Sequence, residues 1–444
     1  MLRTDPGMVR RFRPIVAERL ARQREAAAAA GRPLSDEEAE QYANALINEE
    51  LRRFAQAQVQ QGHPPLDPDE EDELAQAIHA ALFGLGRLEP LLSDPEVENI
   101  DANGCDQVFV ELTDGTTRQA APITDSDREL VELLQRAAAR YGPRRFDLGC
   151  PQLDLRLPDG SRLSAVMDVS HRPVLSIRRH RFRRVTLDDL QASGMVDSGL
   201  RRFLAALVTA RKNVVIAGGT NAGKTTLLRA LASQIPPDER LVTIENSLEL
   251  GLHEFPDLHP NVVALEARLP NVEGEGQITL GELVQRSLRM NPSRVIVGEV
   301  LGDEVLAMLE AMSQGNDGSM CTIHASSSAL AFRRMAMYAQ RSAMRLPVAT
   351  TYLMIAGAVD FVVFIGKRDL RAQGGQLDRY VASVREVIDA DGETMISNEV
   401  FSPGPDGRAV PAAPPRCLVD LRLAGYDPDG LGLGLARLDG AWRR

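Results

Sequence analysis

The spacing of apolar residues changes along this chain, and each change marks a segment. Over residues 1–62 they recur at helical intervals in a largely polar background. MVRRFRPIVAERLARQREAAAAAG closes at Gly31, and Ser35 with Glu38 makes a capping box for a second helix running toward Gln61. So arginine-rich a stretch reads first as a solvated helical appendage and second as a docking element. GHPPLDPDEED, 62–72, reads as a linker from its proline, glycine and acid content. Residues 73–185 are mixed: 75–83 has helical spacing, 107–111 alternates as a strand does, and 153–169 makes a hairpin about Pro158-Asp159-Gly160.

Residues 199 to about 368 alternate strand and helix, the order of a parallel α/β sheet. Strands are predicted at 213–217, 240–245, 294–300, 319–324 and 361–366. Thr279 and Glu282 cap a helix through Met290, and a further helix over 302–313 is closed by Gly315. The apolar stretch 348–366 is broken by Thr350, Thr351 and Asp360, which predicts a buried helix and strand rather than a membrane span. After about 370 the pattern dissolves, and SPGPDGRAVPAAPP reads as an exposed loop.

Composition narrows the chemistry. At 444 residues the chain has room for two or three domains, and a 44% hydrophobic fraction supports ordinary cores. A net charge of −11 argues against stable nucleic-acid binding, which needs many cations to displace counterions. The cluster RRHRFRR, 178–184, carries a single phenylalanine and little of the aromatic interleaving that stacks bases; interdomain phosphate sensing suits it better. Cys105, Cys150, Cys321 and Cys417 are scattered without metal or redox spacing, which favours a reducing compartment. No apolar signal segment opens the chain.

The strongest chemical signal is AGGTNAGKTTLL, 217–228. Gly218, Gly223, Lys224 and Thr225 complete the phosphate-loop pattern, between a β-branched strand and a helix. The backbone of Gly218, Gly219, Thr220, Asn221, Ala222 and Gly223 would wrap phosphates, with Lys224 on the β- and γ-phosphates. Thr226 follows, and the Thr225 hydroxyl would ligate Mg²⁺. Lys224 is one of only three lysines in a chain with forty-eight arginines. A flexible point charge is what this position needs. RVIVGEV, 294–300, brings Glu299 to the end of a buried strand as a second carboxylate for the metal and the attacking water, against the alternative of a surface acid. Glu245 and Glu249 follow the strand at 240–245, where they polarise water or simply suit a helix N-terminus. His324 ends the strand in GNDGSMCTIHASS.

Taken in order, the phosphate loop, TIEN-x-x-E, RSLRMNPSRVIVGEV and GNDGSMCTIHASS resemble the CpaF/TadA secretion ATPases of the type II/type IV secretion ATPase superfamily. FGLGRLEPLLSDPEVENIDANGCDQVFVE and LPDGSRLSAV extend the resemblance, which covers roughly 73–370. It implies an α/β fold with a RecA-like P-loop domain over 199–370 and a smaller α+β N-terminal domain over 73–185; the helical extension over 1–62 is read from the residue pattern. An irregular extension over 371–444 falls outside the resemblance. The resemblance further implies an ATP- and Mg²⁺-dependent homo-hexameric motor, peripheral at the cytoplasmic face of the inner membrane. Such motors drive Flp/Tad-type pilus assembly through membrane platform proteins. By motif, Glu299 is the Walker B glutamate, a metal ligand directly or through water. Glu245 and Glu249 form the acidic box, His324 belongs to the histidine box, and Arg162 and Arg178 reach the γ-phosphate.

Three positions depart from that pattern: Asn246 for aspartate, Leu301 for arginine and Asn316 for histidine. If all three flank the phosphates, hydrolysis is slowed. The other readings are a type IV secretion ATPase moving DNA or protein, and a nucleotide-gated scaffold with degenerate catalysis.

Overall fold

The computed structural model describes residues 6–142, 145–179, 184–268, 270, 274–370 and 377–427. Residues 1–5 of the helical extension, 180–183 of the basic cluster, and 371–376 and 428–444 of the C-terminal extension lie outside these. The chain forms two compact units, residues 1–180 and 181–444.

In the first unit, helices α1 (Pro6–Ala29), α2 (Asp36–Gln60) and α3 (Pro68–Phe83) pack on one another. Phe12, Val16 and Leu20 of α1 meet Ala39, Ala43, Leu46, Ile47 and Leu51 of α2 and Leu74 and Ile78 of α3 in a buried core. The expected solvated appendage is therefore a packed three-helix cluster. Its apolar stripes repeat at four and three residues, masked in the sequence by the arginines on the opposite faces. The expected linker over 62–72 is shortened: residues 62–67 carry no helix or strand, and a helix begins at Pro68. Asp67 caps α3 in a box with Glu70, and Pro68 opens the first turn, where its missing N–H costs nothing. The acids that suggested solvent sit at the positive end of the helix dipole.

The same unit holds a six-stranded antiparallel sheet ordered β3-β2-β1-β6-β5-β4. Its strands are β1 (Val97–Asn103), β2 (Val108–Leu112), β3 (Thr117–Ala120), β4 (Gln152–Arg156), β5 (Arg162–Val166) and β6 (Val174–Arg178). Helices α4 (Glu89–Ser93) and α5 (Asp127–Tyr141) cover its apolar face. The β4–β5 hairpin turns at Asp159 and Gly160, where Gly160 takes φ +83°.

The second unit is built on a nine-stranded sheet ordered β15-β14-β13-β12-β7-β11-β10-β8-β9. β7 (Val214–Gly218), β8 (Leu241–Glu245), β9 (Val262–Glu266), β10 (Arg294–Val300), β11 (Met320–His324) and β12 (Phe361–Asp369) run parallel. Val214 and Ile216 of β7 face one core and Val215 and Ala217 the other, so the strand is apolar throughout, as a strand covered on both faces must be. The first core takes α6 (Leu187–Ala192), α7 (Ser198–Thr209) and α8 (Lys224–Ala232). The second takes α9 (Leu280–Ser287), α10 (Glu304–Ser313), α11 (Ser328–Arg341) and α12 (Val348–Ala358). This is the α/β, RecA-like class expected from the sequence. No described helix is long and apolar enough to cross a membrane.

Beyond residue 376 the expected irregular extension is corrected. β13 (Leu377–Asp391), β14 (Thr394–Pro403) and β15 (Ala409–Pro411) continue the same sheet from β12, each antiparallel to the strand before it, and α13 (Leu418–Leu423) packs on the first core. Much of SPGPDGRAVPAAPP is the β14–β15 hairpin, with Ala409 buried.

Candidate nucleotide site

Parallel strands bring their carboxyl ends to one edge of the sheet, where open α/β sheets bind ligands. Gly218 ends β7, Glu245 ends β8 and His324 ends β11, while Glu299 is the penultimate residue of β10. Register pairs His324 with Gly218, and pairs Val297 with Ile244 so that Gly298 comes level with Glu245. The loop from β7 into α8 needs left-handed backbone at Asn221, φ +56°, and at Gly223, φ +94°. Asparagine and glycine are the residues that take it at least cost.

Lys224 opens α8 and is 7% exposed. Its Nζ lies 3.4 Å from Glu299 Oε1 and 3.3 Å from His324 Nδ1, and donates to the Gly219 carbonyl at 3.2 Å. His324 Nε2 lies 3.1 Å from the same Glu299 oxygen. An ammonium can only donate, so His324 Nδ1 accepts and Nε2 carries the proton toward Glu299. Burial pulls the Lys224 pKa below its usual value, and the Glu299 charge works against that shift. Lys224, Glu299 and His324 thus form a closed triangle.

Glu245 is 3% exposed. Its Oε2 accepts the backbone N–H groups of Glu249 and Leu250, each at 2.8 Å, while the buried Oε1 has no hydrogen-bond partner. Burial pushes its pKa up to about 7; the two N–H donors oppose the shift and the Glu249 charge adds to it. A carboxyl poised near neutrality with one free oxygen can hold or pass a proton. Glu249 donates its backbone N–H to Glu245, and its backbone carbonyl accepts from Arg229. Thr225 is half-buried and Thr226 exposed. The fit to a nucleotide-bound Mg²⁺ rests on oxygen chemistry: the hydroxyl of Thr225, the Glu299 carboxylate and the unpartnered Glu245 oxygen are hard donors. No group of three or more His, Cys, Asp and Glu able to hold a metal occurs among the described residues, so phosphate and water would supply the remaining ligands.

Residues 82–380, more than half of the chain, match the family described as Type II/IV secretion system protein. The chain belongs to this family. A Mycobacterium tuberculosis protein described as a "putative conjugal transfer protein" is 37% identical over 256 residues, spanning 56% of this chain and 71% of its own. The type IV secretion system protein PtlH of Bordetella pertussis is 30% identical over 311 residues, 64% of this chain and 90% of its own. The solved structure of the Legionella pneumophila ATPase DotB aligns with TM-score 0.50 at 19% identity, covering 69% of this chain and 81% of that one. At that identity the likeness concerns the fold.

Not every residue singled out from the family pattern lies here. Arg162 and Arg178 belong to the first unit, exposed and directly opposite each other on β5 and β6. Asn316 sits at the other end of the sheet. It precedes β11, whose four residue steps from Met320 to His324 span about 13 Å, and donates to the Pro292 carbonyl at 2.9 Å. The expectation that it flanks the phosphates is corrected. Asn246 and Leu301 do lie at the phosphate edge, both exposed. Two cations went unnoticed in the sequence. Lys367 of β12 donates to the Thr220 carbonyl, and Arg379 of β13 binds Asn221. No motif marks either.

Proposed function

We propose that this chain is an ATP-hydrolysing motor, working as a homo-hexamer at the cytoplasmic face of the inner membrane. There it powers Flp/Tad-type pilus assembly or a related secretion process through platform proteins. The observation that carries the reading is the Lys224–Glu299–His324 triangle at the phosphate loop, with Glu245 buried beside it. Without nucleotide the ammonium of Lys224 is spent on Glu299. A triphosphate draws it away, and the released carboxylate can orient water, with the Nε2 proton of His324 fixing its direction. Thr225, and Glu299 through water, would hold the Mg²⁺ that accompanies ATP, which would supply charge neutralisation at the phosphates. Arg162 and Arg178 stand in register with like charges, an arrangement that costs stability unless an anion lies between them. A γ-phosphate is such an anion, so the pair would favour ATP over ADP.

The test is phosphate release by the wild type in the presence of Mg²⁺, with Lys224→Ala as control, beside light scattering with a non-hydrolysable ATP analogue. No turnover in the wild type, with or without platform proteins, would favour the scaffold reading. A strictly monomeric protein would remove the ring. The second reading, transfer of protein or DNA by a type IV system, is favoured by the names of the M. tuberculosis and B. pertussis relatives. Deletion separates the two: loss of surface pili supports assembly, and loss of transfer with pili intact supports secretion.

A further inference from the structure

Lys367 and Arg379 are register partners on β12 and β13. Two cations directly opposite on an antiparallel pair repel, so something must draw both the same way. Both turn to the tip of the phosphate loop. Lys367 Nζ donates to the Thr220 carbonyl at 2.8 Å. Arg379 donates through Nε to the Asn221 carbonyl and through Nη2 to the Asn221 side-chain oxygen, each at 3.0 Å. The loop bonds to these strands through consecutive backbone carbonyls.

A trans peptide holds its C=O and N–H on opposite sides of the chain. The cation that fixes the Asn221 carbonyl on the outside therefore turns the Ala222 N–H inward. That inner side is marked by the Gly219 carbonyl, which accepts both the Ala222 N–H at 3.3 Å and the Lys224 ammonium at 3.2 Å. The same geometry at the preceding peptide aims the Asn221 N–H away from Lys367. Arg379 also grips the side chain of the residue that must hold φ +56°.

We propose that Lys367 and Arg379 are positioning residues for the nucleotide: from outside the loop they fix two peptide planes so that their N–H groups turn to its inner side, where the Gly219 carbonyl holds that of Ala222 until phosphate oxygens take its place. The inference rests on the nucleotide-binding reading of the loop. It gives β13, which begins inside the family match and runs past its end at residue 380, a role in the site.

The test compares Lys367→Gln, Arg379→Gln and the double variant with the conservative Lys367→Arg and Arg379→Lys, all in the full chain. Hydrogen exchange across residues 219–223 is followed without nucleotide, and binding of fluorescent Mg-ATP and Mg-ADP is measured separately. Faster exchange at the loop is expected in the glutamine variants. Affinity for both nucleotides should fall about tenfold, the scale of one charged hydrogen bond to an exposed backbone group. The conservative variants should recover most of it, and KM should rise more than kcat falls. Wild-type exchange and wild-type affinity in the double variant would overturn the proposal. Should the double variant not fold, Lys367→Gln alone decides, since its side chain is exposed; unchanged exchange at the loop then counts against the clamp. A wild type that binds no nucleotide would instead defeat the functional reading, while the exchange data still judge the clamp.

Discussion

A Cβ placed on Gly298 would stand 2.9 Å from Glu245 Cγ. Neighbouring strands thus leave the carboxylate of β8 its room only because β10 has no side chain at that position. Gly298→Ala should push Glu245 from its two N–H donors. A displacement of this kind lowers kcat on the order of 100-fold when the group takes part in the chemistry. Nucleotide affinity should hold, because Lys224 and the loop are untouched. Single-turnover rates and equilibrium binding measured together check this, and a wild-type rate would show that the placement of Glu245 is not needed.

Glu245 also makes stability depend on pH. Its carboxyl keeps its proton to about pH 7 when folded, against an ordinary value of 4.5. Between those values the unfolded chain has released a proton that the folded one still holds. Stability therefore falls as pH rises from about 4.5 to 7, and the loss is complete above that, amounting to about 3 kcal/mol at the upper bound. Urea unfolding at pH 5 and pH 8 should show this slope in the wild type and a shallower one in Glu245→Gln. Equal slopes would remove the buried-acid account.

Lys224→Ala should abolish nucleotide binding, because no other side chain replaces its charge inside the triangle. Glu299→Gln should keep binding and slow turnover by about 100-fold or more, the range for removing a group that accepts or directs a proton. It keeps the shape of the side chain and discards the charge that both Lys224 and His324 address. Wild-type turnover by Glu299→Gln would defeat its assignment.

Replacing Arg162 or Arg178 by alanine should weaken ATP about tenfold and leave ADP nearly unchanged, if the pair receives the γ-phosphate. Removing one member also relieves the repulsion across β5 and β6, so the fold should not suffer. Equal loss for both nucleotides in a titration would assign the arginines to the fold instead.

How much of this was legible in the sequence follows from where the partners lie. Lys224, Glu299 and His324 could be placed because each sits at a fixed offset from a buried strand, and parallel strands deliver their ends to one edge. β13 could not be seen as a strand, because its charged residues find partners elsewhere in the chain. Arg385 pairs with Glu399 at 2.9 Å, and Glu386 accepts the N–H groups of Arg416 and Cys417. A strand carrying Arg385-Glu386 looks solvated until those partners are known. Arg294 shows the same: it is 1% exposed and bound to Glu239 at 2.6 and 2.8 Å, yet its sequence context marks only a strand start. β9 is a half-buried edge strand, so its five residues carry no alternation to detect.

The departures from the family pattern separate by position, and the last prediction turns on that. Asn316 holds the Pro292 carbonyl at the end of the sheet away from the phosphates. Asn316→Ala should cost about 1 kcal/mol of stability and leave kcat alone. Asn246 and Leu301 are exposed at the phosphate edge, immediately after Glu245 and two residues after Glu299. There a restored aspartate and arginine can act on bound water or on developing charge. One charged hydrogen bond felt only in the transition state is worth about 10–100-fold in rate. Asn246→Asp combined with Leu301→Arg should therefore raise a slow basal hydrolysis by about that range, while Asn316→His adds nothing. Phosphate release by the wild type, the double variant and Asn316→His, each against Glu299→Gln as background, reads all of it. A rate gain from Asn316→His alone would mean that the far end of the sheet reaches the chemistry. No gain from the double variant would mean that the retained Lys224, Glu245, Glu299 and His324 already set the rate.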